Sequence, residues 1–235
     1  MTLIKSISGF RGTIGGKPGD TLNPLDIVKA VSAFASLREP IAGKGQYRRK
    51  IVVGRDARIS GEMVSHVVCG TLMGLGYDVV NIGLASTPTT ELAVVMEHAC
   101  GGIILTASHN PRQWNALKLL NERGEFLPAK EAQDVVRRMN KEDFVYADVD
   151  NLGNYIKNYS YDQRHIEMIK DLELVDVEAI RKAHFRVALD TVNSVGGLIL
   201  PRLLGQLGVT EVKGLNLEPT GDFAHNPEPD RKSVV

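Results

Sequence analysis

The segment Thr106-Ala-Ser-His-Asn-Pro111 sets a hydroxyl, an imidazole and a carboxamide side by side at Ser108, His109 and Asn110. The apolar run Gly102-Ile-Ile-Leu105 just before it reads as a buried strand. Asn110-Pro111 stops that strand, because proline biases the preceding residue towards extended or turn geometry. Ser108 is therefore expected on a tight loop beyond a strand's carboxyl end, where open α/β sheets bind their ligands. Loop chemistry alone favours a plain turn, since Ser and Asn prefer turns through local hydrogen bonds.

Cations elsewhere in the chain could serve an anionic group. Residues 6–19 are too glycine-rich for a helix and read as a mobile loop presenting Arg11, whose planar fork suits a phosphate. A P-loop reading of Gly15-Gly16-Lys17 fails, because the pattern needs Gly where Arg11 stands and Ser or Thr where Pro18 stands. Gly54-Arg-Asp-Ala-Arg58 adds Arg55 and Arg58, which with Asp56 read more readily as a salt-bridged brace than as direct participants. Lys118 is a candidate for proton transfer. A free lysine, with a pKa near ~10.4, is too basic for that at neutral pH. Burial or neighbouring cations would have to lower it.

The elements that must position these groups alternate. Asn23-Pro24 is a helix start, with Ile27, Ala30, Val31 and Phe34 on one face and Pro40 and Gly43 to Gly45 beyond its end. Ile51-Val-Val53 is a buried strand, entered through Arg48-Arg-Lys50. A helix follows with Val64, Val67, Val68, Thr71, Leu72 and Leu75 on one stripe and Gly76 as its cap. Asp78 to Ile82 is the next strand. Thr87-Pro88 caps a helix that should turn Leu92, Val95 and Met96 inwards. This strand–helix alternation predicts parallel pairing with right-handed crossovers. The loops bearing Arg55 and Arg58, Thr87 and Ser108 should then open at one sheet edge. Trp114 to Leu120 is read as a strand, Glu125 to Leu127 as its hairpin return, and Pro128 as the opening of an amphipathic helix with Ala132, Val135, Val136 and Met139 inward.

Residues 141–160 are polar and read as a domain end and linker. A shorter α/β pattern follows: a helix from Tyr161, another capped by Asp176, a strand from His184 to Asp190, a helix bearing Leu200, Leu203, Leu204 and Leu207, and a strand from Val209. The glycines of Thr191-Val-Asn-Ser-Val-Gly-Gly197 could seat a phosphate at a helix start, but close helix–strand packing is the preferred reading.

Taken together, Thr106-Ala-Ser-His-Asn-Pro111, Ser8-Gly-Phe-Arg-Gly12, Gly54-Arg-Asp-x-Arg58 and Gly83-Leu-x-x-Thr-Pro88 resemble motifs of the α-D-phosphohexomutases. The resemblance implies a mixed, mainly parallel α/β sheet sandwiched by helices in residues 1–157 and a partial second α/β domain of the same type in 158–229. Residues 230–235 do not resemble family sequence and are expected to be a non-native tail. It further implies that Ser108 carries a phosphoryl group and, through its phosphate, is one ligand of Mg²⁺. His109 and Asn110 would hold its loop with Thr106, and Arg11 and Lys118 would handle phosphate charge and protons. Arg55 and Arg58 would bind phosphate or brace the loop. Ala116 stands where the family more usually has glycine, and no carboxylate cluster of the family's metal loop is present. Asn115-Ala-Leu-Lys118 and Thr13-Ile-Gly-Gly-Lys17 look most like bacterial members that interconvert glucosamine 6-phosphate and glucosamine 1-phosphate. Members acting on mannose or glucose phosphates are the near alternative. A short, non-catalytic sugar-phosphate-binding module is the alternative of another class. The chain alone is expected to be inactive.

Composition narrows the partners. The 235 residues are 43% hydrophobic, and 28 Lys plus Arg match 28 Asp plus Glu, so no overall field draws the chain to nucleic acid or membrane. The first residues lack the apolar stretch of a signal peptide, and a cytoplasmic location is expected. Cys69 and Cys100 are expected as buried thiols. The family resemblance implies a hexose phosphate as the small-molecule partner; oligomeric state is left open.

Overall fold

The computed structural model describes residues 3–6, 9–38 and 49–227. Among these, a seven-stranded sheet is built from β1 (Ile4–Ser6), β2 (Gly9–Thr13), β3 (Lys50–Arg55), β4 (Asp78–Leu84), β5 (Gly101–Leu105), β6 (Trp114–Leu120) and β7 (Tyr155–Lys157), in the order β1-β2-β6-β5-β3-β4-β7. β5, β3, β4 and β7 pair in parallel, while β6 runs antiparallel between β5 and β2. The sheet is mixed but mainly one-directional, as expected.

Helices cover both faces. α1 (Pro24–Ala35), α2 (Gly61–Gly74) and α4 (Ala129–Lys141) bury Ile27, Val31, Val64, Leu72, Val135 and Met139 against Ile51, Val53, Ile103, Leu105 and Leu117. The alternate strand residues Val52, Val80, Ile104 and Leu120 face α3 (Thr87–Met96) and Tyr161 of α5 (Tyr161–Lys170). This inversion at each residue is the period of two that a strand imposes. α1 starts as read: the Asn23 side chain accepts from the backbone N–H groups of Leu25 and Asp26.

Four expectations are corrected. The Arg11 segment is not a loop but strand β2, with Arg11 opposite Ala116 of β6. The polar stretch 141–160 is not only a linker, because Tyr155–Lys157 extends the sheet beside β4. The cap of α3 is Ser86, which accepts from Thr89 N–H, one residue before the Thr87 expected. Its inward face is also rotated: Thr89, Thr90, Ala93 and Val94 are buried, Leu92 and Met96 only partly, and Val95 is exposed. Gly54 and Gly102 explain the rotation, since a Cβ there would meet Thr90 at 2.4 Å and Val94 at 2.5 Å. With no side chain on these strand positions, the helix approaches closely and small residues fill the seam. Pro40, Gly43 to Gly45, Arg48, Ser8 and the tail 230–235 lie outside the described residues.

A second sheet consists of β8 (Arg186–Asp190) and β9 (Glu211–Leu215), paired in parallel, with α6 (Val177–Lys182) before it and α7 (Gly196–Gln206) between its strands. Asp176 caps α6 by accepting from Ala179 N–H. Gly197 at the start of α7 lies against the Leu217 carbonyl, where a Cβ would come within 1.8 Å, which is the packing role preferred for it. Cys69 and Cys100 are buried free thiols. Among the described residues no helix is long and apolar enough to cross a membrane.

Candidate functional site

β5 ends at Leu105, and the chain turns at once, with the Asn110 N–H donating to the Ala107 carbonyl at 3.1 Å. Ser108 sits in this turn with φ +56°, a left-handed conformation that costs a side-chain-bearing residue roughly 1 kcal/mol or more. Such strain persists only where the surroundings over-determine it. Here the surroundings are Arg58, which is 1% exposed. Its Nη1 donates to the carbonyls of Pro111 and Trp114, both at 2.9 Å. Its Nη2 donates to those of Ser108 (2.9 Å) and Asn110 (2.7 Å), and its Nε to Asp56 Oδ2 (3.1 Å). All five N–H donors of the guanidinium are thereby used within the protein.

Asp56 completes the frame. It accepts from the Arg58 backbone N–H at 2.9 Å and from Thr106 Oγ1 at 2.6 Å. Thr106 Oγ1 in turn accepts from the Ser108 N–H at 3.1 Å. Burial pushes the Asp56 carboxyl up from its ordinary range, while the bonds from Thr106 and Arg58 hold it down. Arg58 thus braces the turn and has no N–H donor left over for a ligand. The ring of Phe223 covers its guanidinium, 5.1 Å from ring centre to Cζ. Phe223 reaches this position from the segment after β9, which is also held by the ion pair of Asp222 with Arg112. Nothing in the spacing of these residues signals either contact.

What the frame leaves open is the Ser108 side chain. It is exposed and lines a pocket of ≈ 200 Å³ together with Arg11, Thr106, His109, Ala116 and Lys118. His109 Nδ1 lies 3.4 Å from Ser108 Oγ. Arg11 and Lys118 come from β2 and β6, and neither has a carboxylate within salt-bridge distance among the described residues. Ala116 fits its methyl into the wall between them, 4% exposed, so its departure from glycine leaves the pocket open. Lys118 is half-buried on the α3 face of the sheet, its ammonium 5.7 Å from the Phe126 ring centre. Burial lowers its pKa and nearby Arg58 adds to this, against Asp56 and Glu91, which raise it. These are the two conditions a proton-transferring lysine requires.

Arg55 is not part of this pocket. It ends β3 and lines a separate cavity with residues of α5 and α7. As for Mg²⁺, the described residues contain no group of three or more His, Cys, Asp or Glu side chains that could hold a metal ion. Ser108 alone does not make such a site, because Mg²⁺ demands an octahedral set of oxygens.

Residues 3–146 match the family model described as phosphoglucomutase/phosphomannomutase, alpha/beta/alpha domain I, and residues 163–235 match the corresponding domain II. Strand β7 lies between the two matches, and the second runs through the tail expected to be non-native. A phosphoglucomutase/phosphomannomutase of Thermococcus kodakarensis is 37% identical over 226 residues, 95% of this chain and 48% of the relative. A Methanococcoides burtonii protein named as a phosphoglucosamine mutase is 36% identical over 208 residues, 88% of this chain and 46% of its own. The chain spans about half the length of these curated relatives. A solved Thermus thermophilus structure named for phosphomannomutase superposes with a TM-score of 0.78 at 25% identity, over 97% of this chain and 49% of that one. A phosphoglucomutase/phosphomannomutase family protein from Burkholderia thailandensis shares the fold with a TM-score of 0.75 at 24% identity, over 96% and 47% of the two chains.

Proposed function

Since this chain belongs to the phosphoglucomutase/phosphomannomutase family, we propose that it forms the amino-terminal part of a phosphohexomutase whose Ser108 carries the phosphoryl group. The observation that supports this most is the Ser108 hydroxyl, held out by a braced left-handed turn into a pocket with two cations that lack carboxylate partners among the described residues. A phosphoserine brings ~1.5 to 2 negative charges, and a sugar phosphate beside it needs cations to be tolerated. Catalysis of phosphoryl transfer is mainly positioning and electrostatic stabilisation, which is what such a pocket offers.

In the proposed cycle, phosphorylated Ser108 gives its phosphoryl group to a free hydroxyl of the hexose phosphate. The Ser108 oxygen is the leaving group, and the hydroxyl proton passes to a base, the role assigned to Lys118. The bisphosphorylated sugar then reorients and returns its other phosphoryl group to Ser108, exchanging the two ends. Arg11 balances charge on the travelling group, and Thr106 and Arg58 hold the turn that presents the oxygen. A phosphate on Ser108 would supply one oxygen ligand to Mg²⁺, and the described residues furnish no further ligand cluster.

The substrate pair assigned is glucosamine 6-phosphate and glucosamine 1-phosphate, from Asn115-Ala-Leu-Lys118 and the name of the M. burtonii relative. The T. kodakarensis relative, slightly more similar, favours mannose or glucose phosphates as the second reading. Interconversion assays on the full-length gene product with all three sugar phosphates separate these readings. Ser108→Ala is expected to lower kcat at least ~10³-fold, the scale of losing a nucleophile. A Ser108→Ala protein with the parental rate would end the proposal. Residues 1–235 alone are expected to show no measurable turnover.

A further inference from the structure

Arg55 is the one arginine of the Gly54-Arg-Asp-x-Arg58 motif that neither braces the Ser108 turn nor lines its pocket. The only hydrogen bond of its side chain among the described residues runs from Nη1 to the Asp56 carbonyl, at 3.2 Å, and no carboxylate pairs with it. A half-buried guanidinium with most of its donors unspent is costly unless an anion or water completes it. Arg55 faces a cavity of ≈ 440 Å³ at the carboxyl edge of β3 and β4, bounded on another side by Leu198 and Arg202 of α7 (Gly196–Gln206). That volume lies within the range of small-molecule sites. α7 contributes Arg202, whose nearest carboxylate, Asp162, stands at 4.0 Å. The rest of the wall is Ile82, Gly83, Leu84, Leu198 and Tyr159. Two guanidinium groups against one carboxylate leave an excess positive charge beside an apolar and aromatic surface.

We propose that this junction cavity binds a phosphate monoester of a hexose, its phosphate on Arg55 and Arg202 and its sugar hydroxyls on Asp162. Asp162 is well placed to accept from hydroxyls, and arginine's fork suits phosphate oxygens. The body of the sugar lies on Leu198 and Tyr159. Because the cavity takes one wall from the large sheet and the other from α7, its ligand bridges the two parts of the chain. The site shares no lining residue with the Ser108 pocket, so it stands or falls separately from the proposed chemistry.

The test is calorimetric titration of the chain with glucose 6-phosphate, run on Arg11→Gln/Lys118→Met protein so that the Ser108 pocket is disabled. Saturable binding is expected to survive in that background and to weaken about tenfold when Arg202→Gln is added. Arg202 is half-exposed, so this variant should keep its fold. Leu198→Trp, which fills the cavity while keeping both cations, is expected to weaken binding similarly. Glucose should not bind, and inorganic phosphate should bind more weakly than the ester. Loss of all binding with Arg11 and Lys118, or affinity unchanged by both Arg202→Gln and Leu198→Trp, would overturn the proposal. Phosphate binding as tightly as the ester would overturn the claim that the sugar is read.

Discussion

The two sheets of this chain solve the same packing problem to different degrees. In the seven-stranded sheet β5 is buried along its whole length, because helices lie on both of its faces. In the two-stranded sheet β8 alternates exposed and half-buried residues, and β9 is mostly exposed. Parallel strands normally need cover on both sides, and a two-stranded unit is marginal by itself. The difference teaches where rigidity is available. The strained Ser108 turn grows from the strand at the centre of the well-covered sheet, and the second region meets it through Asp222 and Phe223 and through Thr191, Val192, Ser194 and Pro227, which share a cavity with Ser108.

The largest effect should come from Arg58→Ala. It leaves Asp56 buried without its cation and four carbonyls without donors, a loss of about 3–5 kcal/mol. Thermal or urea unfolding measures this, and a loss below about 1 kcal/mol would mean that the brace is not what holds the turn. The next comparison sets Ile103→Ala in β5 against Leu189→Ala in β8. The first residue is 0% exposed and should cost about 2–5 kcal/mol, as core truncations do. The second is half-buried and should cost about 1 kcal/mol or less. Equal costs would erase the distinction between the two sheets.

The smallest effect concerns His225, whose Nε2 meets Asp190 Oδ2 at 2.9 Å at the exposed end of β8. Its backbone bond to Asn226 and the contact with Asp190 raise the His225 pKa from 6.5. Asp190 moves down from 3.8, as hydrogen bonds from the Val192 N–H, Asn216 and His225 outweigh the opposing effect of burial. The histidine's contribution is complete below pH 6.5 and is lost as pH rises through its raised pKa; the aspartate's is present above pH 3.8 and is lost as pH falls. The pair therefore helps only between these limits, and weakly, being exposed to solvent. An NMR titration should place the His225 midpoint lower in Asp190→Asn than in the parent. An unchanged midpoint would show that the pair does not form.

Much of this was readable from residues alone. Periodicity and caps located α1, α2 and α4, and the break at Asn110-Pro111 located the turn. What escaped has physical causes. The direction of α3's inner face depends on glycines in the two strands beneath it, Gly54 and Gly102, which no helical pattern contains. Strand β7 is three exposed residues in a polar stretch, with no apolar alternation to betray it. β2 opens with a glycine and holds exposed Arg11, so its strand character comes from pairing with β6. In the site, Ser108, Lys118 and Arg11 stood out by type. That Arg58 would use every donor inwards, and that Arg55 would face another cavity, depended on tertiary geometry.

The central claim is that the Ser108 oxygen accepts and returns a phosphoryl group. Intact-mass measurement of the full-length gene product after incubation with a hexose 1,6-bisphosphate tests it most directly. One added phosphate, mapped to Ser108 and absent from the Ser108→Ala variant, is the predicted result. An adduct of the same mass persisting in Ser108→Ala would contradict it.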